Sequence, residues 1–232
     1  MSRMFKGKTV GALLLMGGEG RRFGSEVPKQ FHLLCGKPVY RHALEAALSS
    51  DIFDEIILVT HADWADGLEK GVRVAVGGKT RQESSYRGLR AFAKKPDIVL
   101  IHDAVRPFVT ERILKENVAG AIEWGAVDTC IPTADTLVHA PGGQMIASIP
   151  RREEFLRGQT PQTFRMDWIV EAHEKALADG VENASDDCRL VLRLGKTVHI
   201  VAGEEQNLKI TSELDLFIAE QILIKNRILL HS

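Results

Sequence analysis

Short runs of consecutive apolar residues alternate along this chain with longer segments whose apolar positions recur at helical spacing. Val10–Met16, Glu55–Thr60, Val72–Val76, Ile98–His102, Val127–Ile131 and Val198–Ala202 are brief and rich in Val and Ile, the pattern of buried strands. Between them Val39–Ser49, Gln82–Lys94, Glu111–Trp124, Trp168–Ala178 and Asp186–Leu194 read as helices. A last helix, Glu213–Leu230, follows the capping sequence Thr211-Ser212. Strand and helix alternating in this way implies right-handed crossovers and a mostly parallel sheet covered on both faces, an α/β fold. No repeat, low-complexity tract or Ser/Gly linker breaks the pattern, so one domain spanning residues 1–232 is the simplest organisation.

One stretch departs from the alternation. From Pro132 to Phe164 no helix is evident, and Asp135–Val138 and Met145–Ile149 flank Ala140-Pro141-Gly142-Gly143. Two short strands about a Pro-Gly-Gly turn predict a β-hairpin arm at about 132–155. A two-stranded hairpin is marginal alone in water, so a partner subunit is a natural surface for it.

Composition narrows the functional classes. The 232 residues carry 30 Lys plus Arg against 31 Asp plus Glu, a net charge of −1, so there is no broad basic field for nucleic acid and any polyanion site must be local. A chain of this length buries roughly 70–75% of its unfolded surface, enough for a core without staples. Its three cysteines, Cys35, Cys130 and Cys188, form no CxxC pair, which argues against a disulfide framework or structural zinc and favours the cytoplasm. Arg3, Lys6 and Lys8 before the run Val10 to Met16 resemble a minimal secretion signal. That run is short, contains Gly11 and ends in Gly17-Gly18 rather than a small-x-small cleavage site. No apolar stretch approaches a membrane span.

The strongest chemical signal follows the first strand: Gly17-Gly18-Glu19-Gly20-Arg21-Arg22-Phe23-Gly24, then Pro28-Lys29-Gln30. Glycines there let backbone N–H groups approach phosphate oxygens at the carboxyl edge of the sheet, and Arg22 and Lys29 add fixed positive charge. The dinucleotide fingerprint fails at Phe23, and the GxxxxGK[ST] loop fails because Gln30 follows Lys29. A Gly-rich turn with solvated basic residues is the plain alternative. A second cluster, Gly77-Gly78-Lys79-Thr80-Arg81-Gln82-Glu83-Ser84-Ser85, again lies between a strand and a helix. There Ser84 or Thr80 could donate to a phosphate, sugar or base, or Thr80 could simply cap the helix. Asp103, in His102-Asp103-Ala104-Val105-Arg106-Pro107, leaves a strand at the ligand edge and is a candidate for Mg²⁺ or else a cap, while Arg106 could meet an anionic substrate. His102 reads as a packed strand-end side chain rather than a base. Arg152, with Thr160-Pro161-Gln162, and Lys209 stand near hydroxyls and suit phosphate, though each alone would usually be a surface charge. Asp186-Asp187 after Ser185 reads as complementing a helix dipole. There is no Gly-x-Ser-x-Gly elbow, no HExxH and no Cys beside a plausible His. Cations outnumber candidate bases, which suits a reaction between two phosphorylated molecules driven by positioning and charge neutralisation.

Taken in order, Gly17-Gly18-x-Gly20-x-Arg22 with Pro28-Lys29-Gln30, Gly77-Gly78, His102-Asp103-Ala104-x-Arg106-Pro107, Thr160-Pro161-Gln162 and Asn207-Leu208-Lys209-Ile210-Thr211 resemble the 2-C-methyl-D-erythritol 4-phosphate cytidylyltransferases of the non-mevalonate isoprenoid pathway. The resemblance runs from about Leu13 to Leu216. It departs at Met16-Gly17, where the family usually has Ala-Ala, at Val105, and at Lys79. It implies a Rossmann-like nucleotidyltransferase fold, a homodimer joined through the hairpin arm, and Mg²⁺ on Asp103. It implies that CTP lies on Met16, Gly17, Gly18, Gly20, Arg22 and Lys29, with Gly78 and Ser84 near the base, Ala104 near the ribose, and Asp103 and Lys209 beside the phosphates. Arg22, Lys29, Arg152 and Lys209 become the catalytic set. Arg106, Thr136, Arg152, Thr160 and Lys209 become the acceptor set, in part from the partner subunit. Three other readings compete: a cytidylyltransferase for another polyol phosphate such as ribitol 5-phosphate, a nucleotide-binding protein without transfer chemistry, and a structural interaction module.

Overall fold

The computed structural model describes residues 5–17 and 27–231, with side chains as far as residue 226. In chain order the elements are β1 (Val10–Leu15), β2 (Leu33–Leu34), β3 (Lys37–Pro38), α1 (Val39–Ser49), β4 (Glu55–Thr60), β5 (Arg73–Val76), α2 (Arg81–Leu89), β6 (Ile98–Asp103), α3 (Glu111–Trp124), β7 (Ala126–Pro132), β8 (Leu156–Arg165), α4 (Met166–Ala178), α5 (Cys188–Arg193), β9 (His199–Ala202) and α6 (Glu213–His231). Seven strands form one sheet in the order β5-β4-β1-β6-β8-β7-β9, and β2 pairs with β3 in a separate small hairpin. Strands β5, β4, β1 and β6 run parallel, as the continuous apolar runs predict. All six residues of β1 are buried, as expected of a strand covered on both faces.

Two apolar layers flank the sheet. On one face Leu13, Ile57, Val99 and Phe164 pack with Ile169 and Ala172 of α4. On the other, Ala12 and Leu100 pack with Ile113, Leu114 and Val118 of α3. Helix starts follow their caps. Thr80 accepts from the Glu83 N–H (3.1 Å), and the Glu83 carboxylate accepts in return from the Lys79 N–H (2.8 Å). Ser212 accepts from the Asp215 N–H, while Asp215 Oδ2 accepts from the N–H groups of Thr211 and Ser212. Helix α2 ends at Leu89, short of the predicted Lys94. The chain turns at Arg90 and lays the Phe92 ring against β1, in the space that a Cβ on Gly11 would need.

Two expectations are corrected. Strand β8 is not legible in the sequence: Leu156-Arg-Gly-Gln-Thr-Pro-Gln-Thr-Phe-Arg holds a glycine, a proline and several small or polar core positions, yet it lies inside the sheet, antiparallel to β6 and β7. The register with β7 shifts between Asp128 and Cys130, so Pro161 falls where the ladder is interrupted and its missing N–H is tolerated. The arm, in turn, has no ladder over Asp135–Val138 and Met145–Ile149. Its strands meet at one antiparallel bridge, His139 with Ser148, beyond the turn closed by the Gly143 N–H to Ala140 O bond. With no third strand or helix beneath it among the described residues, Met145, Ile146 and Ile149 stay exposed and an extended pairing has no support.

Candidate active site

Strand β1 is followed in sequence by β4 on one side and, after α2, by β6 on the other, which makes its carboxyl end the topological switch point where ligands bind in open α/β sheets. A cleft of about 1070 Å³ opens there, lined among others by Met16, Gly17, Lys29, Gly78, Ser84 and Thr211. Its floor is built from backbone. The Met16 N–H donates to Val59 O (2.8 Å), the Gly77 N–H to Thr60 O (2.7 Å), and the Gly78 N–H to Ser84 Oγ (3.0 Å). Ser84 Oγ in turn donates to Thr80 O (2.9 Å) and sits so close to both Gly17 and Gly77 that a Cβ there would lie 3.3 and 2.8 Å from it. Gly17 and Gly77 therefore serve close packing around one buried hydroxyl, while a Cβ on Gly78 would run into the Glu83 side chain. Lys29 enters on a single 3-10 turn, Lys29–Phe31, pinned by the buried Gln30 to Met16 O and by Phe31 stacked on Trp64 at 4.5 Å.

Next to this cleft, β1 and β6 place Leu15 beside Asp103. Asp103 is buried, and Lys209 Nζ donates to its Oδ2 at 2.7 Å while Arg81 Nε lies 3.6 Å from its Oδ1. Burial opposes its ionisation, but Arg81 and Lys209 outweigh burial and hold the carboxyl well below its usual range. The turn after it is fixed by β8. Thr160 Oγ1 accepts from the Asp103 N–H (3.0 Å) and lies 2.9 Å from His102 Nδ1. His102 Nε2 faces Arg106 O (3.2 Å), which only accepts, so Nε2 carries the proton and the Thr160 hydroxyl donates to Nδ1. Burial keeps that imidazole neutral, with its pKa lowered to about 4. His102 is thus the packed strand-end side chain expected. Thr160 offers a substrate only what the Asp103 turn leaves free.

Lys209 reaches Asp103 because its loop is tied at both ends: Asn207 Nδ2 donates to Gln159 Oε1 and Thr160 O, and the Ile210 N–H donates to Val105 O. Arg106, also buried, donates from Nη1 to Asn207 O (2.8 Å) and leaves its Nε without a partner. Ala104 is fully buried, with its N–H on Leu15 O.

The fold thus brings Met16, Gly17, Lys29, Gly78 and Ser84 to one cleft, and Asp103, Ala104, Arg106, Thr160 and Lys209 to the adjoining strand end. Gly18, Gly20 and Arg22 lie outside the described residues. Arg152 and Thr136 stay on the arm: Arg152 donates to Ala134 O (3.1 Å), Thr136 is exposed, and neither is hydrogen-bonded or ion-paired to the Asp103 group. Among the described residues no three His, Cys, Asp or Glu side chains cluster as metal ligands. The donor set available there to a hard cation is the one ionised carboxylate of Asp103. That fits Mg²⁺, which commonly takes one or two carboxylates and completes its shell with water and substrate phosphates.

Sequence reasoning misses two residues. Arg81 reads there as part of a turn, and Asp187 as a dipole partner for the following helix. In the structure Asp186 does that work, accepting from the Arg189 N–H (3.0 Å), whereas Asp187 makes no capping bond. Asp187 is buried and accepts from Arg81 Nη1 (2.7 Å), Ser85 Oγ (2.8 Å) and His173 Nε2 (2.9 Å). Against the cost of burial these partners, Arg81 foremost, hold its pKa down to about 2. The i, i+4 spacing of Arg81 and Ser85 is the available signal, since it puts both on one face of α2.

Residues 10–225 match the model of the family described as IspD, 2-C-methyl-D-erythritol 4-phosphate cytidylyltransferase. The chain belongs to that family. It is 36% identical over 229 residues to the ribitol-5-phosphate cytidylyltransferase of Lactiplantibacillus plantarum, covering 92% of this chain and 98% of that protein. Among solved structures it resembles the 2-C-methyl-D-erythritol 4-phosphate cytidylyltransferase of Thermus thermophilus, with 33% identity, TM-score 0.77, and 91% and 97% of the two chains covered. It also resembles the 4-diphosphocytidyl-2C-methyl-D-erythritol synthase of Anaerococcus prevotii, with 28% identity, TM-score 0.81, and coverage of 93% and 98%. The protein is a cytidylyltransferase with the Rossmann-like fold of the IspD family, and its reaction transfers the cytidylyl group of CTP to a phosphorylated sugar alcohol with loss of pyrophosphate. No helix among the described residues is long and apolar enough to cross a membrane.

Proposed function

We propose that the protein transfers the cytidylyl group of CTP to 2-C-methyl-D-erythritol 4-phosphate, releasing pyrophosphate and supplying isoprenoid precursors. The observation that carries this reading is the family match over residues 10–225, set on a strand end where Lys209, Arg81 and Asp103 adjoin the glycine-lined cleft. The base and ribose of CTP lie against Met16, Gly17, Gly78, Ser84 and Ala104, and Gly18 and Gly20 serve the phosphates. The acceptor phosphate oxygen attacks the α-phosphorus in line, pyrophosphate leaves, and no covalent enzyme intermediate forms. Arg22, Lys29 and Lys209 balance the charge that builds on the α-phosphate, in a site where fixed cations act at low dielectric. Asp103 holds Mg²⁺, which neutralises phosphate charge when bound. Arg106, Thr160 and Lys209 receive the acceptor, joined by Thr136 and Arg152 from the arm of a partner subunit in a homodimer. The chain works in the cytoplasm, without nucleic acid or a membrane.

The 36% identity to a ribitol-5-phosphate enzyme favours a second reading, in which the same cleft serves ribitol 5-phosphate. Pyrophosphate release with each of the four nucleoside triphosphates and either acceptor separates the two. A kcat/KM at least about tenfold higher with CTP and methylerythritol 4-phosphate, a transition-state difference of about 1.4 kcal/mol, is the expected result. A preference for ribitol 5-phosphate moves the pathway and keeps the chemistry. CTP binding without turnover on any polyol phosphate would sink both.

A further inference from the structure

Among the described residues Asp103 is ion-paired to two cations of unlike kinds, Lys209 and Arg81. Lys209 sits on a flexible stem whose side chain is 39% exposed. Arg81 is 22% exposed and is itself gripped from behind by Asp187, whose side chain is 1% exposed. Asp187 is immobilised on every side. Ser85 and His173 donate to its Oδ1, Arg81 donates to its Oδ2, and its own N–H donates to Gln162 Oε1 (3.0 Å) on β8. His173 is fully buried and stacks on Tyr86 at 5.6 Å, so the anchor reaches through α2 and α4 into the core. A planar guanidinium presents several donors in fixed directions and can span two carboxylates, whereas an ammonium is a movable point charge.

We propose that Arg81, anchored by Asp187, is the positioning residue that keeps Asp103 oriented and charge-compensated when Lys209 swings to the substrate phosphates. The proposal rests on the cytidylyl-transfer reading and deepens it by dividing the two cations' work. Lys209 is the cation that leaves its carboxylate; Arg81 is the one that stays. Without Arg81, Asp103 would lose its guanidinium partner in a buried place at the moment Lys209 departs, and its carboxylate would turn toward whatever cation remained.

The test measures pyrophosphate release, KM for CTP and thermal melting for wild type, Arg81→Gln, Arg81→Lys, Asp187→Asn and the double variant Asp187→Asn with Arg81→Gln. Outer residues that orient an active-site carboxylate typically change activity by about 10–100-fold. Arg81→Gln is therefore expected to lose kcat in that range with KM for CTP within about threefold, and Arg81→Lys, keeping charge but not the fork, to fall between. The double variant is expected to be no slower than Arg81→Gln alone, because Asp187 acts through Arg81. Should Asp187→Asn fail to fold, the two Arg81 variants still decide. An Arg81→Gln enzyme within about twofold of wild-type kcat overturns the inference, as do losses that multiply in the double variant. A wild-type protein that releases no pyrophosphate with any polyol phosphate overturns the functional reading itself, and this inference with it.

Discussion

The strand end around Asp103 and the arm after β7 both carry residues expected to bind phosphate, but they are held in opposite ways. Asp103, Arg106, Thr160 and Lys209 are fixed by hydrogen bonds from three separate stretches of chain, and each of those bonds is buried or half-buried. Arg152 and Thr136 sit on a segment joined by one bridge, with Met145, Ile146 and Ile149 exposed. The first region shows that a charged site can be completed inside one chain when parallel strands and an inserted antiparallel strand converge on it. The second shows that the same residue types on an arm joined by a single bridge are not held in this way by the described chain. Exposed apolar side chains in a row beside polar ones are the mark of such a surface.

The largest effect should come from the fixed region. Lys29→Met is expected to lower kcat by about 10³-fold with the melting temperature unchanged, since a cation aimed at developing charge acts mainly in the transition state. Steady-state pyrophosphate release reads this, and an unaltered kcat would remove Lys29 from the chemistry. Next, Met145→Asp with Ile149→Asp attacks the arm alone. Sedimentation should show dimers converted to monomers at micromolar concentration, with KM for the acceptor rising about tenfold as buried apolar anchors are lost from the interface. A monomeric wild type would break the contrast, because the arm would then have no partner to fix it.

A subtler comparison sets Asp103 against Asp128, two carboxylates on different strands of the same sheet. Asp103 has two cations; Asp128 has the Gln162 amide at 3.1 Å. Burial, with Asp186 adding to it and the Gln162 bond opposing, pushes the Asp128 carboxyl up from an ordinary 3.8 to about 6. A carboxyl that binds its proton more tightly when folded stabilises the fold while protonated. That contribution is complete below about pH 4 and is lost as pH rises through about 6. Asp128→Asn should therefore be more stable than wild type at pH 8 by about 1–2 kcal/mol, with the gap closing toward about pH 4 in urea melts. The smallest effect is expected at Trp64→Ala, which removes the stack on Phe31 behind Lys29. Stacked rings contribute about 0.5–1.5 kcal/mol beyond their burial, so the urea midpoint should fall by a corresponding small amount.

The parallel half of the sheet was legible because its strands are covered on both faces and need continuous apolar runs; β1, β4 and β6 show them in VGALLL, EIILVT and IVLIHD. Helix starts were legible at Thr80 and Ser212 because a cap acts over four residues. Strand β8 was not legible, because its buried side chains Gln159, Thr160, Gln162 and Thr163 are polar groups satisfied by partners 25–58 residues away in sequence. Gly17, Lys29, Asp103 and Lys209 could be singled out from local motifs, but the pairing of Arg81 with Asp187 could not. Their bond spans 106 residues, and neither neighbourhood hints at the other.

The sequence by itself determined the α/β class and the ordered set of glycine and cation motifs that carries the family likeness, since these depend on periodicity and short spacings. Only the tertiary structure decided which of the two cations beside Asp103 is also anchored by a second carboxylate, that Thr160 and His102 build the Asp103 turn, and that the arm lacks a ladder of its own. Those outcomes depend on desolvation and on donors arriving from distant strands, and burial gives them their strength: in water each pair would compete with solvent, and inside the fold each must find the one partner the topology supplies.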